Sequence, residues 1–291
     1  MTNAIATKPG FLETHCRKLG GIDRRRGLTA QELRDEYLAP RKPVILQGEM
    51  DGWPGLGKWS FDHLGKAHGD VQIHVGRLFR PTGKQSLAEY FDYVRDWRRD
   101  HDDVHPDELP LYADGCFVKD MPGLEQDFTI PACFRELDWF ERFPGGNPMG
   151  KGYLLIGPKG SMTKLHIDGH YSHAWVAQFQ GSKRWNVVPF GSLAPFFQNG
   201  YFDYIAEWDG VYPEGLEAWP GLKDVGYYSE VLQPGEIIVA PSGQFHEVFN
   251  LDDSIALSSN FFERSNARKV ITSVVLSRIG LRRAKKKYGT F

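Results

Sequence analysis

Three cysteines in 291 residues (Cys16, Cys116 and Cys133), with no CxxC spacing, exclude a disulfide-stapled scaffold. The longest uncharged apolar runs, such as residues 270–276, fall far short of the ~20 residues that a membrane span requires. Lys8 and Pro9 interrupt the N-terminus before an apolar stretch develops, so no signal peptide is read there and a cytoplasmic protein is expected. There is no fixed-period repeat and no Gly/Ser-rich linker dividing the chain. A Gly-rich phosphate loop, a G-x-S-x-G elbow and zinc-type Cys/His spacing are also missing, which removes the commonest nucleotide, serine-hydrolase and zinc readings.

What is present is ordinary globular composition: 41% hydrophobic, 25% charged, net charge −2. That supports a substantial core in one functional unit. The charge is unevenly spread. Residues 264–291 hold nine basic residues and no acidic one, leaving the rest of the chain acidic. Such a tail is usually solvated or docked on the body, so nucleic acid is not the expected partner. Ile271, Val274, Val275 and Ile279 form one helical stripe within it, expected to pack on the protein's own barrel or on a second copy.

Residues 29–38 predict a helix capped by Thr29 with Glu32 in capping-box position, ended by Pro40 and Pro43. Residues 44–46 predict a short strand, residues 86–99 a second helix, and residues 100–110 a loop. After Pro144 the character changes. Eight short apolar or alternating runs follow, at 152–156, 163–168, 175–179, 184–188, 228–232, 236–240, 247–249 and 255–262, separated by GPKG, QGSK, QPGE, PSGQ and NLDDS. Runs of that length with that turn chemistry predict an antiparallel barrel or sandwich rather than βαβ units.

The chemistry concentrates in HIDGHYSHAW. His166 and Asp168, two apart on a predicted strand, share one face. A second histidine, His246, follows the P-S-G turn at the head of a later strand. Two histidines and one carboxylate on one face of a metal leave positions open for a co-substrate and O₂, an arrangement suited to Fe(II). A hydrogen-bonded His166/Asp168 pair with His246 as a core histidine is the bland alternative. His170 and His173 are read as residues of the loop after Asp168, with no motif to place them.

On these residues the chain resembles the Jumonji-C-type, cupin-like Fe(II)/2-oxoglutarate-dependent oxygenases, in particular the hydroxylase branch that includes factor-inhibiting-HIF asparaginyl hydroxylase. The resemblance implies a mainly β fold with helices: a double-stranded β-helix core over 146–263, a mixed helix/strand part over 1–145 and a basic C-terminal helix over 264–291. It implies His166, Asp168 and His246 as iron ligands. Lys183, in QGSKRWNVVP, falls on the residue that pairs with the distal carboxylate of 2-oxoglutarate. Thr163 and Tyr112 fall on hydroxyls that bond the same carboxylate, and Ser258 and Asn260 lie near the cosubstrate. Ser258 stands where relatives frequently carry Thr, and Val176 where they often carry Asn. A dianion inside a barrel does need a buried cation to offset its desolvation. An exposed turn lysine and a half-buried tyrosine are the ordinary alternatives for Lys183 and Tyr112.

The implied reaction couples oxidative decarboxylation of 2-oxoglutarate, with O₂, to hydroxylation of an unactivated C–H bond. A protein or peptide side chain is the first expected substrate and a small molecule or free amino acid the second. A non-catalytic cupin-like binding module is the third reading. Jumonji-type hydroxylases often dimerise through C-terminal helices, so the resemblance also implies a homodimer. Residues 190–228 hold eleven aromatics and six acids against one lysine. They are expected either to wall the entrance for a cationic or peptide substrate, with Asp203, Glu207 and Asp209 as the charges, or to pack as a self-contained cover.

Overall fold

The computed structural model describes residues 9–77, 80–101, 109–142, 146–147, 150–190 and 222–275. In chain order its first part holds α1 (Phe11–His15), β1 (Arg17–Gly20), β2 (Asp23–Arg26), α2 (Ala30–Leu33), β3 (Val44–Gln47), α3 (Phe61–His68), β4 (Gln72–Arg77), β5 (Arg80–Ser86), α4 (Leu87–His101), β6 (Ala113–Phe117) and α5 (Ala132–Arg135). The second part holds β7 (Tyr153–Gly157), β8 (Met162–His166), β9 (His173–Gln180), β10 (Lys183–Val187), β11 (Gly226–Leu232), β12 (Glu236–Ala240), β13 (His246–Asn250) and β14 (Ser254–Phe261). Among the described residues, 267–275 form the last helix, α6.

The eight expected runs are the eight strands β7–β14. They pair in nested order, β7 with β14, β8 with β13, β9 with β12 and β10 with β11, all antiparallel. One long ribbon folded back on itself in this way winds into a jelly roll, the double-stranded β-helix. Its strands divide into a sheet ordered β1-β11-β10-β13-β8 and a larger one ordered β2-β3-β12-β9-β14-β7-β6. Strands β1, β2, β3 and β6 from the first part extend both sheets, so the barrel recruits the N-terminal half to cover its edges.

The larger sheet is covered on both faces. Inward, Ala174, Val176, Ile238 and Ala256 meet Trp185, Val187 and Val248 of the smaller sheet. Outward, Trp175, Ala177, Ile237 and Leu257 pack under Leu33, Leu64, Phe91 and Phe134 of the helices. Double coverage explains why β9 and β14 are buried along almost their whole length instead of at alternate residues. Phe134 stacks on Trp175 with centroids 5.6 Å apart.

The expected helix over 29–38 starts as anticipated: the Thr29 hydroxyl accepts from the Glu32 N–H, and the Glu32 side chain returns the bond. It then widens into a π-turn over Arg34–Leu38, where the Ala39 N–H reaches the Arg34 carbonyl at 2.8 Å. The strand at 44–46 runs to Gln47 and the helix at 86–99 is α4. Residues 102–108 of the expected loop lie outside the described residues. Among the described residues no helix is long and apolar enough to cross a membrane.

In α6 the stripe is split. Val270 is buried against Phe262 and Ala267, and Val274 packs beside it, while Ile271 and Val275 are 49% and 48% exposed. Ile279 lies outside the described residues.

Candidate metal centre and cosubstrate cavity

His166 ends β8 and His246 begins β13, and the antiparallel register sets the two residues opposite each other. Their ring centroids are 4.1 Å apart. His166 Nδ1 lies 2.7 Å from the Lys164 carbonyl, and His246 Nδ1 lies 3.1 Å from the Gln244 carbonyl. A carbonyl only accepts, so each Nδ1 carries the proton and each Nε2 lone pair is left for a metal. Trp185 stacks on the His246 ring at 5.3 Å and fixes its plane.

Asp168 does not lie on the strand. It follows β8 in extended conformation and leads into a 3-10 turn, Gly169–Tyr171. The carboxylate nonetheless reaches the histidines: one donor atom from each of His166, Asp168 and His246 falls within 4.8 Å of the others. Burial raises the Asp168 pKa, against the pull of His246 and a hydrogen bond from Asn260. Burial, with His246 adding to it, holds His166 well below its usual value, so the imidazole is neutral and available as a ligand. Two imidazole nitrogens and one carboxylate converging from one side fit a divalent first-row ion that keeps further positions open.

Four residues from the Val187↔His246 pair, at the other end of β10, Lys183 pairs with Asn250. It is 1% exposed and among the largest fully buried side chains. Its Nζ donates to the Asn250 side-chain carbonyl and, at 3.3 Å, to the Tyr112 hydroxyl. Burial alone lowers its pKa to about 7. A buried lysine with only neutral acceptors is a cation awaiting an anion. Arg184, the neighbouring basic residue, turns away to pair with Glu13 at 2.9 Å.

Between the two ends lies a cavity of about 250 Å³ lined by His166, Asp168, His246, Lys183, Tyr112 and Thr163, with Ser258 and an apolar wall that includes Tyr153, Val176 and Trp185. Tyr112, Thr163, Ser258 and Lys183 thus share one chamber with the metal ligands. Asn260 takes a different position: it is absent from the cavity wall and instead bonds Asp168 while donating to the Ser172 hydroxyl at 2.9 Å.

Two residues that patterning did not single out belong to the site. Asn250, in the run FNL, accepts from Lys183 and donates to Ser161 at 2.6 Å. Tyr153 lines the cavity and bonds both Ser258 and Asn260 at 3.3 Å. Period-two alternation along β7 puts Tyr153 and Leu155 on the cavity face, and that signal could have found the tyrosine. Gly157 explains how the Lys183 end closes, since a Cβ there would collide with Tyr112, Ser161 and Asn250. His173 is not a loop residue. It opens β9, fully buried, accepts from the Ser242 N–H at 3.0 Å and faces Glu263 at 3.5 Å. Residues 191–221, with Asp203, Glu207 and Asp209, lie outside the described residues.

A jelly roll with a His/Asp/His cluster at one end of an inner chamber and a buried lysine at the other defines a cupin-type scaffold with a candidate metal site. The chain belongs to the cupin-like domain family, which matches residues 30–267. It is 32% identical over 270 residues to the arginine-specific demethylase JMJ22 of Arabidopsis thaliana, covering 86% of this chain and 48% of that protein. It is 28% identical over 272 residues to the 2-oxoglutarate and iron-dependent oxygenase JMJD4 of Gallus gallus, covering 84% and 60%. It is 27% identical over 268 residues to the bifunctional arginine demethylase and lysyl-hydroxylase psr-1 of Caenorhabditis elegans, covering 86% and 63%. The chain therefore spans less than two thirds of each of these relatives.

Proposed function

We propose that this chain is an Fe(II)- and 2-oxoglutarate-dependent oxygenase that hydroxylates an amino-acid side chain in a protein or peptide. The observation that carries the reading is Lys183: a buried cation without a carboxylate partner, in the same chamber as three converging metal-ligand atoms. A structural barrel has no use for that charge, whereas a dicarboxylate cosubstrate needs it. The relatives' names, which specify iron, 2-oxoglutarate, lysyl hydroxylation and arginine demethylation, support the same class and a polypeptide substrate.

His166, Asp168 and His246 would hold the iron, with both Nδ1 protons parked on backbone carbonyls so that neither ring can turn. Lys183 would take the distal carboxylate, with the Tyr112 and Thr163 hydroxyls beside it and Ser258 on the wall. Bound iron and cosubstrate supply the oxidising power that breaks a C–H bond. The chain's own contribution is placement: Val176, Trp185 and Val248 exclude water along the chamber, so the substrate carbon is met in a dry, fixed geometry. We assign the whole described unit to this task, because β1–β3 and β6 complete the barrel's sheets. That Cys16, Cys116 and Cys133 are not joined in disulfides suits a reducing, cytoplasmic setting.

The test is to offer the purified chain a peptide library with Fe(II) and 2-oxoglutarate, reading succinate formation and peptide mass together. Gain of one oxygen on a side chain is the expected result. Loss of a methyl group from an N-methylated arginine or lysine would assign the same chemistry to demethylation. Turnover stimulated only by free amino acids would replace the polypeptide reading.

A further inference from the structure

Three non-glycine residues among those described adopt a left-handed backbone: Arg41 at φ 57°, His170 at φ 55° and Tyr171 at φ 56°. Each stores strain that glycine would avoid, and such strain collects where function requires it. All three converge on one corner of the barrel. Arg41 ends the first long helical segment, where glycine is the usual residue, and its guanidinium lies 3.6 Å over the Phe190 ring. Lys269 of α6 lies 5.3 Å over the same ring and 5.9 Å over Tyr171. A Cβ at Gly243 would touch both rings. The Gly169–Tyr171 turn is fastened there by Asn266 and Ser242, which both donate to the Tyr171 carbonyl, and by His170 bonding Ser273 at 3.1 Å.

The corner sits at the metal end of the barrel. Phe190 follows Val187, the register partner of His246; the turn follows Asp168; and Gly243 precedes His246 by three residues. Among the described residues it is also cationic without compensation. Among the described residues neither Arg41 nor Lys269 makes an ion pair, and Arg41 Nη1 is buried without an acceptor. Burial lowers the pKa of both side chains, and Arg41 lowers that of Lys269 further; among the described residues no carboxylate holds either charge. Glu263, just before α6, is engaged by Ser265 and His173. Phe190 itself is 40% exposed, Lys269 is exposed and Arg41 is half-buried, so among the described residues part of the corner faces solvent.

We propose that Arg41 and Lys269, braced on Phe190 and Tyr171, form an oxyanion-binding site at the rim of the metal end, taking a carboxylate or phosphate group of the polypeptide substrate. A guanidinium stacked on a ring keeps its edge for bidentate contact with an oxyanion, and the ammonium adds a second charge. The polypeptide origin of the anion rests on the oxygenase reading; anion binding does not.

The experiment titrates the full chain with inorganic phosphate and, separately, with acetate at constant ionic strength, following the Arg41 side-chain N–H by NMR. A saturable shift is expected, weakened at least tenfold in Lys269→Met. Arg41→Gly provides the folding control, because glycine takes φ 57° freely; its Tm should equal or exceed that of the wild type. The anion-dependent rise in Tm should vanish in that variant. A non-saturating response in the wild type, or an undiminished Tm rise in Arg41→Gly, overturns the site. Peptides bearing phosphoserine or glutamate should displace phosphate more strongly than a serine peptide, and which of them does so identifies the source of the anion. Equal displacement by all three overturns the substrate assignment. Iron content, measured in the same samples, reports separately on His166, Asp168 and His246, so failure of the oxygenase reading is distinguishable.

Discussion

Lys183 and Asn250 face each other across the β10–β13 pairing, and the lysine's ammonium rests on the asparagine's carbonyl with no carboxylate to balance it. The free protein therefore carries the desolvation cost of a cation that its cosubstrate would offset. Lys183→Ala should raise the 2-oxoglutarate Michaelis constant by at least a hundredfold, from the roughly 3–5 kcal/mol lost when one partner of a buried pair is removed. Iron content should stay unchanged. An unaltered Michaelis constant would show that another cation holds the cosubstrate.

The same lysine gives a pH signature. Its pKa falls from 10.5 in the unfolded chain to about 7 in the fold. Between those values the unfolded state binds more protons, so the free protein should gain stability as pH rises from 7 toward 10.5. The cosubstrate selects the protonated form, so its affinity should fall as pH rises above 7, by up to about tenfold per unit. Lys183→Met should flatten both curves, measured by Tm and by 2-oxoglutarate titration. A wild-type affinity that is level from pH 7 to 9 would refute the assignment.

Metal binding should depend on two layers. His166→Ala or Asp168→Ala should abolish iron uptake with the fold preserved. Asn260→Ala should weaken uptake about 10–100-fold, because Asn260 bonds the Asp168 carboxylate and ties it to Ser172. Asn260→Asp should be worse than Asn260→Ala, since a second carboxylate beside Asp168 repels it. Full occupancy in Asn260→Ala would return that residue to a purely structural role.

An antiparallel barrel or sandwich was legible because its strands are short, apolar and cut by Gly, Pro and Asn turns; the choice of a double-stranded β-helix came from the family resemblance, and the nested pairing follows from it. The convergence of His166, Asp168 and His246 was legible as H-x-D plus a distant histidine, whereas Lys183 rested on the family resemblance, because its turn and strand fit an exposed lysine equally well. What escaped were partners fixed by tertiary register. Asn250 matters because β13 pairs with β10, and Asn260 turns to Asp168 because β14 lies beside β9. His173 reads as a loop histidine, since nothing local shows that β9 begins there under Glu263. The α6 stripe misled in part: a helix lying across Phe262 buries Val270, and Ile271 and Val275 point elsewhere.

Glu247 is the neighbour of His246 on the outward face of β13, fully buried, and it accepts from the Phe11 and Leu12 N–H groups and from Asn186. Burial raises its pKa from 4.5 to about 7. Here the folded state binds the extra proton, so this group's contribution to stability is full below pH 4.5 and is lost as pH rises through 7. Glu247→Gln should keep most of the contacts and remove that loss, giving a flatter Tm profile between pH 5 and 7. Glu247→Ala should destabilise by about 1–3 kcal/mol by leaving buried N–H groups unpaired. A wild-type Tm that rises over the same interval more steeply than in Glu247→Gln would contradict the sign.

The exposed pair Ile271 and Val275 sets the last prediction. Two large aliphatic side chains one helical turn apart, both about half exposed, are a natural contact for a second copy of α6, and we expect a homodimer through this face. Removing the segment would be a poor test, because Ala267 and Val270 also hold the helix to Phe262 and their loss would expose the barrel. Ile271→Asp with Val275→Lys leaves the inner face alone. Light scattering of the full chain at micromolar concentration should report a dimer, and the double variant a monomer with the wild-type iron content. A wild type that is already monomeric would leave the pair as isolated surface hydrophobics, which single domains commonly carry.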